Sequence, residues 1–366
     1  MDILFLGSFL PSTYESKFEN LSAAGNQFQY NLYRAAKRGH NVSVLSYISV
    51  PGFKLNEYEE NELSSKNFHI YSPKAKGWLD FLYYRIHMWK LAKKNDCVIV
   101  YNMVYAWFGI GLISSLFGMR SILILADYTP PCEEKSIVRK IYSYFVKMNF
   151  NLFDKIILLS EGSRMYIKEK KKTMLFHGCI DWELFKDITP IQNHETFNVV
   201  YTGFIGYVTG VDLLLDAFVK IKGDNLRLYI CGQGFELNDL IKEYLDKDKR
   251  IIYKGYLSKP EYIMMLKDAN VLVNPRNMKL LQNISNFPSK ILEYIATGRP
   301  IISTKFIGWN SFNNNIFFCE SDSKDISLAI EQSLRLNNHD TSLIYDKNRK
   351  YIQNFKWEKW IDSILE

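Results

Sequence analysis

The chain has 366 residues, of which 47% are hydrophobic, and a formal net charge of +7. This length exceeds what one hydrophobic core usually supports, so two domains are expected. Five scattered cysteines without a Cys-x-x-Cys pair argue against a disulfide framework and a cysteine-rich metal cluster, and they favour a cytoplasmic location. The first residues lack a basic stretch before their short apolar run, so we predict a strand there and no secretion signal.

The positive charge is confined to the first half of the chain. Residues 1–180 hold 23 Lys and Arg against 15 Asp and Glu, whereas residues 181–366 hold 23 against 24. The segment 74–94 has six basic residues interleaved with aromatic residues at helical spacing, which is typical of a helix lying on an anionic membrane. A helix packed on its own sheet shows the same apolar stripe, and both interpretations can hold at once. We expect no nucleic-acid partner.

Strands and helices alternate along the first half. Residues 2–6 and 42–48 predict strands on either side of a helix over 27–38, which together form a βαβ unit. The turn at Gly25 and Asn26 leads into this helix.

An uncharged stretch, 97–119, is long enough to raise the question of a transmembrane helix. Gly and Ser interrupt it, and we therefore predict a strand, a helix and a further strand instead. The loop 125–131 follows that last strand and carries Asp127.

The second half begins a new alternating series. We expect domains over 1–180 and 198–342, a polar linker over 181–197 and a C-terminal amphipathic helix over 343–366. Ligands of doubly wound α/β sheets lie beyond the carboxyl ends of the strands, so the residues there are expected to face one crevice. These residues are Gly203, Gly232, Gly234, Gly255, Arg276 and Ser289.

The most informative stretch is 286–303. Pro288 and Ser289 suit the first turn and the cap of a short helix, and Gly298 ends that helix. Lys290 adds an ammonium group to the helix N-terminus, and this combination binds anions such as a diphosphate. An ordinary helix-to-strand connection with a surface lysine is the alternative.

The sequence contains one candidate metal motif. Asp246-Lys247-Asp248 resembles a metal-diphosphate Asp-x-Asp motif, but it closes a charged helix, where a solvated turn is the expected structure. The six histidines include no His-Glu-x-x-His pattern. We predict no metal site.

The order of eight short motifs resembles that of GT-B glycosyltransferases of the family 4-like group, which carry an E-x(7)-E motif and use nucleotide sugars. The resemblance covers nearly the whole chain. The motifs are RGHNVSVLS, FDKIILLSEGS, HGCIDWELF, VVYTGFIGY with GVDLLLDAF, LRLYICGQG, IIYKGYLS, ANVLVNPR and FPSKILEYIATGRPII.

This resemblance implies an α/β fold of two Rossmann-like domains facing a cleft, with a C-terminal helix that crosses back to the first domain. The first domain would bind the acceptor and the second the donor. Glu293 matches the motif's second glutamate, which binds the ribose hydroxyls, and Pro288 to Lys290 would meet the diphosphate. The resemblance also implies that Gly203 contacts the donor and that Gly232, Gly255 and Tyr256 lie near its nucleobase. Gly25 and Asn26 would lie on the acceptor side.

The chain departs from the family pattern where the donor binds. The motif's first glutamate falls on Ser285, and the usual basic pair falls on Phe204 and Thr209. We expect Arg276 and Lys290 to supply the missing positive charge, because a departing diphosphate needs its charge neutralised.

The usual histidine of the first domain is also missing, and Asp127 is the candidate for a base or an acceptor-orienting group. Retention of configuration at the sugar is therefore left open.

With these departures taken into account, the resemblance implies a metal-independent hexosyltransferase without a further cofactor. It would move a sugar from a UDP- or GDP-linked donor to a glycan or lipid-linked glycan in bacterial cell-surface polysaccharide synthesis, in the cytoplasm or peripherally on the inner face of the membrane. A non-catalytic partner of a glycosyltransferase complex and a sugar-nucleotide epimerase are the alternatives. The oligomeric state is not predicted.

Overall fold

The computed structural model describes residues 1–10, 23–47, 68–71, 78–191, 195–234 and 237–366. Residue 48 of the predicted second strand, residues 74–77 of the basic segment and residues 192–194 of the predicted linker lie outside these ranges.

The chain forms two compact units. Unit 1 comprises Met1–Gly178 and Trp357–Glu366, and unit 2 comprises Cys179–Lys356. Each is an α/β unit with a parallel sheet, so the predicted pair of Rossmann-like domains is confirmed, as is the return of the C-terminal helix to the first domain.

The observed boundaries differ from the predicted ones at both ends of unit 2. Phe185 and Ile188, within the predicted linker, are buried in the core of unit 2. The predicted C-terminal helix over 343–366 is two helices, the first in unit 2 and the second in unit 1.

Unit 1 contains a seven-stranded sheet with the order β3-β2-β1-β4-β5-β6-β7. Every strand pair in it is parallel. Its strands are β1 (Asp2–Gly7), β2 (Asn41–Tyr47), β3 (Phe68–Tyr71), β4 (Cys97–Tyr101), β5 (Arg120–Leu125), β6 (Lys155–Leu158) and β7 (Thr173–Leu175). Its described helices are α1 (Ala23–Lys37), α2 (Trp78–Ala92), α3 (Ile110–Leu116), α4 (Ile137–Phe150) and, from the C-terminus, α11 (Trp357–Leu365).

Helices cover the sheet of unit 1 because its strands are apolar on both faces. On one face α2, α3 and α4 share a core with the strands through Met88, Ile110 and Phe150. On the other face Phe28 of α1 packs edge-on against Trp357 of α11, with ring centroids 5.3 Å apart.

The uncharged stretch 97–119 contains a strand and a helix, and the further strand that we predicted begins just after it, at Arg120. Helix α3 spans only seven residues there. Within the described residues, no helix is both long enough and apolar enough to cross a membrane.

Unit 2 contains a six-stranded parallel sheet with the order β10-β9-β8-β11-β12-β13. Its strands are β8 (Phe197–Thr202), β9 (Leu226–Cys231), β10 (Ile251–Gly255), β11 (Val271–Asn274), β12 (Ile301–Thr304) and β13 (Phe317–Cys319). Its described helices are α5 (Val211–Phe218), α6 (Leu237–Lys247), α7 (Lys259–Lys267), α8 (Lys290–Thr297), α9 (Ser323–Ser333) and α10 (Asn338–Ile352).

Two layers of helices also enclose the sheet of unit 2. Leu214 of α5 and Ile330 of α9 belong to the core on one face. Leu266 of α7, Ile295 of α8 and Ile352 of α10 belong to the core on the other face. Both faces of the sheet are therefore buried in apolar cores, and polar functional side chains are expected at the ends of the strands.

Candidate functional site

The sheet order of unit 2 reverses between β8 and β11, which are neighbours in the sheet. The connections that leave these two strands run to opposite sides, so their carboxyl ends open a crevice where α/β proteins bind ligands. Thr202 ends β8, and Arg276 follows β11.

Glycines bring the loops of this edge into direct backbone contact. Gly203 and Gly232 have φ angles of +123° and +137°, which favour glycine, and a Cβ on Gly232 would lie 1.9 Å from the Gly203 carbonyl oxygen. The Gly232 N–H donates to the Gly255 carbonyl at 2.8 Å. A Cβ on Gly234 would lie 1.8 Å from the carbonyl oxygen of Ile205. The four predicted glycines thus lie along one edge of the sheet.

Helix α8 starts at this edge. The N–H groups of Ile291 and Leu292 donate to the carbonyls of Pro288 and Ser289 at 2.9 and 3.1 Å. Ser289 is itself helical, with φ −53° and ψ −28°, and its side chain makes no capping hydrogen bond. The prediction that Ser289 caps the helix is wrong, because the Pro288 turn already continues into the helix. Gly298 ends the helix in the left-handed conformation, as predicted.

Lys290 reaches from α8 to the end of β8. Its Nζ donates to the Thr202 carbonyl oxygen at 2.5 Å and lies 4.2 Å from the centroid of the Tyr201 ring. Burial, reinforced by the positive charge of Arg276 and opposed by Glu293, lowers the pKa of Lys290 to about 7. Lys290 and the guanidinium of Arg276 therefore lie close together, and an anion bound between them would favour the charged form of Lys290.

Glu293 lies one turn along α8 from Lys290. The hydroxyl of Tyr262 donates to Glu293 Oε2 at 2.5 Å, and Lys259 Nζ is 3.7 Å from Oε1. The Glu293 side chain is 30% exposed, so a ligand can reach it. A carboxylate held on one side still has lone pairs for two vicinal hydroxyl groups.

Both partners of Glu293 lie on α7, and the sequence did not reveal them. Tyr262 occupies a helical position among apolar residues, where an aromatic residue is expected to pack in the core. Burial first, and then the charge of Glu293, raises the pKa of Tyr262 well above its usual value, so the phenol remains a donor. The pairing of α7 with α8 depends on the tertiary fold.

Arg276 stands at the end of β11 with its backbone held in place. Its carbonyl accepts hydrogen bonds from Thr304 Oγ1 at 2.7 Å and Ser321 Oγ at 3.1 Å. Its guanidinium Nη1 donates to the Asn286 carbonyl at 3.4 Å, and the residue is half-buried. The side chain thus points along the loop that leads to α8.

Ser285 lies in that same loop and is buried. Asn283 fixes the loop, since its Nδ2 donates to the carbonyls of Val208 and Asn277, each at 2.7 Å. The position of the missing glutamate therefore belongs to an ordered turn.

Phe204 and Thr209, which occupy the positions of the family's basic pair, form hydrogen bonds within the loop after β8. The Phe204 carbonyl accepts hydrogen bonds from the Tyr201 hydroxyl and from Thr209 Oγ1, the latter at 2.9 Å. Thr209 thus orders the loop after β8, and Phe204 is 43% exposed.

Tyr256 follows Gly255 at the end of β10 and is 54% exposed. Its predicted place beside the nucleobase remains a prediction, as does the nucleobase role of Gly232 and Gly255.

The predicted residues of unit 1 lie at the carboxyl edge of its own sheet. Asn102 has a positive φ of 51°, and its Oδ1 accepts from the N–H groups of Ala126 and Asp127 at 2.8 and 3.1 Å. Asp127 is exposed beside this strained turn.

Asn26 has a structural contact. It is buried, and its amide exchanges hydrogen bonds of 2.7 and 2.8 Å with the backbone N–H and carbonyl of Leu10. The Gly25 carbonyl accepts from Gln29 Nε2 at 3.1 Å. Both residues thus order the loop after β1, and their acceptor role remains a prediction.

One carboxylate of the candidate metal motif, that of Asp248, is engaged in an ion pair within the protein. Asp248 Oδ2 pairs with Arg250 Nη2 at 2.7 Å, and the Arg250 Nη1 donates to the Ile221 carbonyl at 2.7 Å. Across the described ranges, His, Cys, Asp and Glu side chains form no group of three or more that could hold a metal ion.

Comparison with known proteins agrees with this architecture. Residues 196–335, which include Gly203, Arg276 and Glu293, match the family model "Glycosyl transferases group 1". No curated protein sequence matches the chain.

Among solved structures, HepE from Anabaena in complex with UDP has 15% sequence identity and a TM-score of 0.73, covering 100% of this chain and 99% of its own. The lipopolysaccharide outer core galactosyltransferase WaaB has 14% identity and a TM-score of 0.67, covering 100% and 99%. Sucrose-phosphate synthase from Thermosynechococcus elongatus has 14% identity and a TM-score of 0.71, covering 100% and 97%. The fold is therefore GT-B, as the resemblance implied.

Proposed function

We propose that this chain, which has the GT-B fold and a glycosyl transferases group 1 domain over residues 196–335, transfers a sugar from a UDP- or GDP-linked donor to a glycan or lipid-linked glycan. The observation that carries the proposal is the cluster of Arg276, Lys290 and Glu293 at the point where the sheet order of unit 2 reverses.

The diphosphate of the donor would lie between Arg276, Lys290 and the first turn of α8. The dipole of a helix attracts anions to its N-terminus. When the bond between the sugar and the diphosphate breaks, the electron pair leaves with the diphosphate, and two cationic side chains stabilise that charge. They could do so without a metal ion, which is our proposal for this chain.

Glu293 would hold the ribose of the donor. The hydroxyl of Tyr262 orients the carboxylate from one side, which leaves its other lone pairs for the two ribose hydroxyl groups. Gly232, Gly255 and Tyr256 would border the nucleobase at the neighbouring strand ends.

The acceptor is assigned to unit 1. Asp127 is exposed at the carboxyl edge of that sheet and is proposed as a base or as a group that orients the acceptor hydroxyl. The basic segment 74–94, described from α2 onward, supports contact with a membrane that carries a lipid-linked acceptor. A role in cell-surface polysaccharide synthesis, at the inner face of the membrane, follows from that acceptor.

Glu293→Ala tests the donor site. Removing a carboxylate that accepts two hydroxyl hydrogen bonds should weaken the binding of UDP-glucose or GDP-mannose by about tenfold or more, measured by calorimetry on the full chain. Tyr262→Phe should weaken binding less, since it disturbs only the orientation of the carboxylate. The matched control is Glu243→Ala, which removes an exposed carboxylate on α6. Equal affinity of Glu293→Ala and the wild type would remove the ribose role.

A non-catalytic role is the second candidate, because Ser285, Phe204 and Thr209 replace charged residues of the family pattern. The full chain with nucleotide sugars and a membrane lipid extract separates the two. Acceptor-dependent release of nucleoside diphosphate supports transfer, whereas binding without release supports the non-catalytic partner. Interconversion of nucleotide sugars without an acceptor would support an epimerase.

A further inference from the structure

The backbone of Thr202 lies where the sheet order of unit 2 reverses. The pairing of β8 with β11 reaches Val200, which lies opposite Leu272. On the other side of β8, the Gly203 N–H donates to the Cys231 carbonyl of β9 at 2.9 Å. Alternate residues of a strand direct their backbone groups to opposite neighbours, so those of Thr202 face the β11 side, beyond the end of that pairing. The N–H and carbonyl of Thr202 therefore need partners from outside the sheet.

Two side chains of α8 supply these partners. The Thr202 N–H donates to the Tyr294 hydroxyl at 3.1 Å, and the Lys290 ammonium group donates to the Thr202 carbonyl. Thr202 Oγ1 lies 3.0 Å from the same Tyr294 hydroxyl, which adds a second hydrogen bond between these two residues. Thr202 and Tyr294 are 2% and 0% exposed. Helix α8 thus takes the place of β11 at the end of β8, in a contact that is closed to solvent.

The same helix carries the candidate ligand groups. Glu293 directly precedes Tyr294, and Lys290 lies one turn earlier. Successive side chains of a helix point about 100° apart, so the two neighbours reach different elements. Glu293 accepts from Tyr262 of α7, whereas Tyr294 contacts Thr202 of β8. A shift or rotation of α8 that breaks the Tyr294 contact would therefore displace both ligand groups from the end of β8.

We propose that Tyr294 is a positioning residue of the donor site, whose hydroxyl fixes α8 against the end of β8 and thereby sets the places of Lys290 and Glu293. Tyr294 is fully buried, so it acts through these two residues rather than on the donor itself. The inference rests on the proposed function and deepens it. Groups that are already in place before the ligand arrives bind it more tightly, because binding does not have to order them.

Tyr294→Phe is the test, since it keeps the buried ring and removes the hydroxyl group. The affinity of the full chain for UDP-glucose or GDP-mannose, measured by calorimetry, should fall about fivefold. Thr202→Val removes Oγ1 but keeps the backbone N–H, and it should lower the affinity about twofold to fivefold. The double variant should bind within about twofold of Tyr294→Phe, because both substitutions break the same contact.

The pH dependence of donor binding separates positioning from a general loss of stability. Burial is the main cause of the lowered pKa of Lys290, so loosening the end of β8 should return this pKa towards its ordinary value. Arg276 and Glu293 face Lys290 in the wild type and in the variant alike. The charged ammonium group, which a diphosphate favours, would then persist to higher pH. Donor affinity should therefore begin to fall at a higher pH in Tyr294→Phe than in the wild type.

The matched control is Tyr351→Phe. It removes a tyrosine hydroxyl of α10 that donates to the Ser311 carbonyl at 3.0 Å, in the same unit and away from α8. Donor affinity and its pH dependence should both stay at the wild-type values. Circular dichroism and urea unfolding confirm that each variant folds.

Several results would overturn the role of Tyr294. These are wild-type donor affinity in Tyr294→Phe, an equal loss in Tyr351→Phe, independent and additive losses in the double variant with Thr202→Val, and an unchanged pH dependence in Tyr294→Phe. Absence of donor binding by the wild type would instead overturn the proposed function, and this role with it. The two failures are therefore distinguishable.

Discussion

Lys290 is the titratable side chain on which the electrostatics of the proposed donor site depend most. Its lowered pKa, about 7, has burial as its main cause, and the free protein therefore carries a mixture of charged and neutral Lys290 near neutrality. In the unfolded chain this group titrates near 10.5, so its burial costs stability below pH 7, and that cost is relieved as the pH rises from 7 towards 10.5. A diphosphate bound beside Lys290 would favour its charged form, so we expect the ligand and the proton to bind cooperatively.

The affinity for a nucleotide sugar should therefore fall as the pH rises above 7, by up to about tenfold per pH unit, because binding must then take up one proton. Calorimetry in buffers with different ionisation enthalpies measures the number of protons taken up for each ligand bound. A UDP-sugar is the right ligand because its diphosphate does not titrate in this range. Lys290→Arg keeps the charge at all these pH values and should abolish the uptake. Wild-type binding without proton uptake above pH 7 contradicts this role for Lys290.

At the level of secondary-structure elements, the site depends on how closely β8, β9 and their loops approach one another. Gly232 has no room for a side chain because the Gly203 carbonyl fills the space. Gly223 has a similar φ of +139°, but a Cβ there would lie 4.0 Å from its nearest neighbour, the Cβ of Leu226. A comparison of alanine substitutions at Gly232 and Gly223 therefore separates the energetic cost of a positive φ from the cost of a steric clash.

Gly232→Ala should destabilise unit 2 by about 2–4 kcal/mol, because it adds a clash with a backbone carbonyl to the cost of a positive φ. Gly223→Ala carries the conformational cost alone and should destabilise by about 1 kcal/mol. Urea unfolding of both variants gives the comparison. Equal losses would show that the contact between the loops after β8 and β9 is loose.

At the level of the whole molecule, unit 1 is completed by the last ten residues of the chain. The Trp360 and Phe176 ring centroids are 5.1 Å apart, and the Arg120 Nη1 donates to the Leu365 carbonyl at 2.8 Å. Arg38 and Glu358 form an exposed ion pair at 2.5 Å, which adds little stability. Packing of the aromatic side chains therefore dominates this closure.

Trp357→Ala should destabilise unit 1 by about 3–5 kcal/mol, since it removes the buried aromatic side chain by which α11 packs against α1. Hydrogen exchange should show lost protection in β1, α1 and β7 and unchanged protection in the strands of unit 2. Leu343→Ala, at a residue 55% exposed on α10, is the control and should alter neither unit. Loss of protection confined to unit 2 would contradict the assignment of α11.

The sequence by itself determined the fold class and the central residues of the candidate site. Strands of continuous apolar residues that end in glycine predicted a parallel sheet with polar chemistry at its carboxyl edge, and this is a local property of each strand. The helix containing Lys290 and Glu293 was likewise predictable, because Gly298 ends it through its own backbone preference.

Only the tertiary structure decided which side chains meet at that edge. Tyr262 is paired with Glu293 because α7 packs beside α8, and Lys290 is desolvated because it reaches the end of β8, neither of which periodicity encodes. The exposure of Ile137, Ile141 and Phe145 on α4 was not predictable for the same reason. A helical stripe predicts that one face is apolar, but only packing against the sheet determines which face is buried.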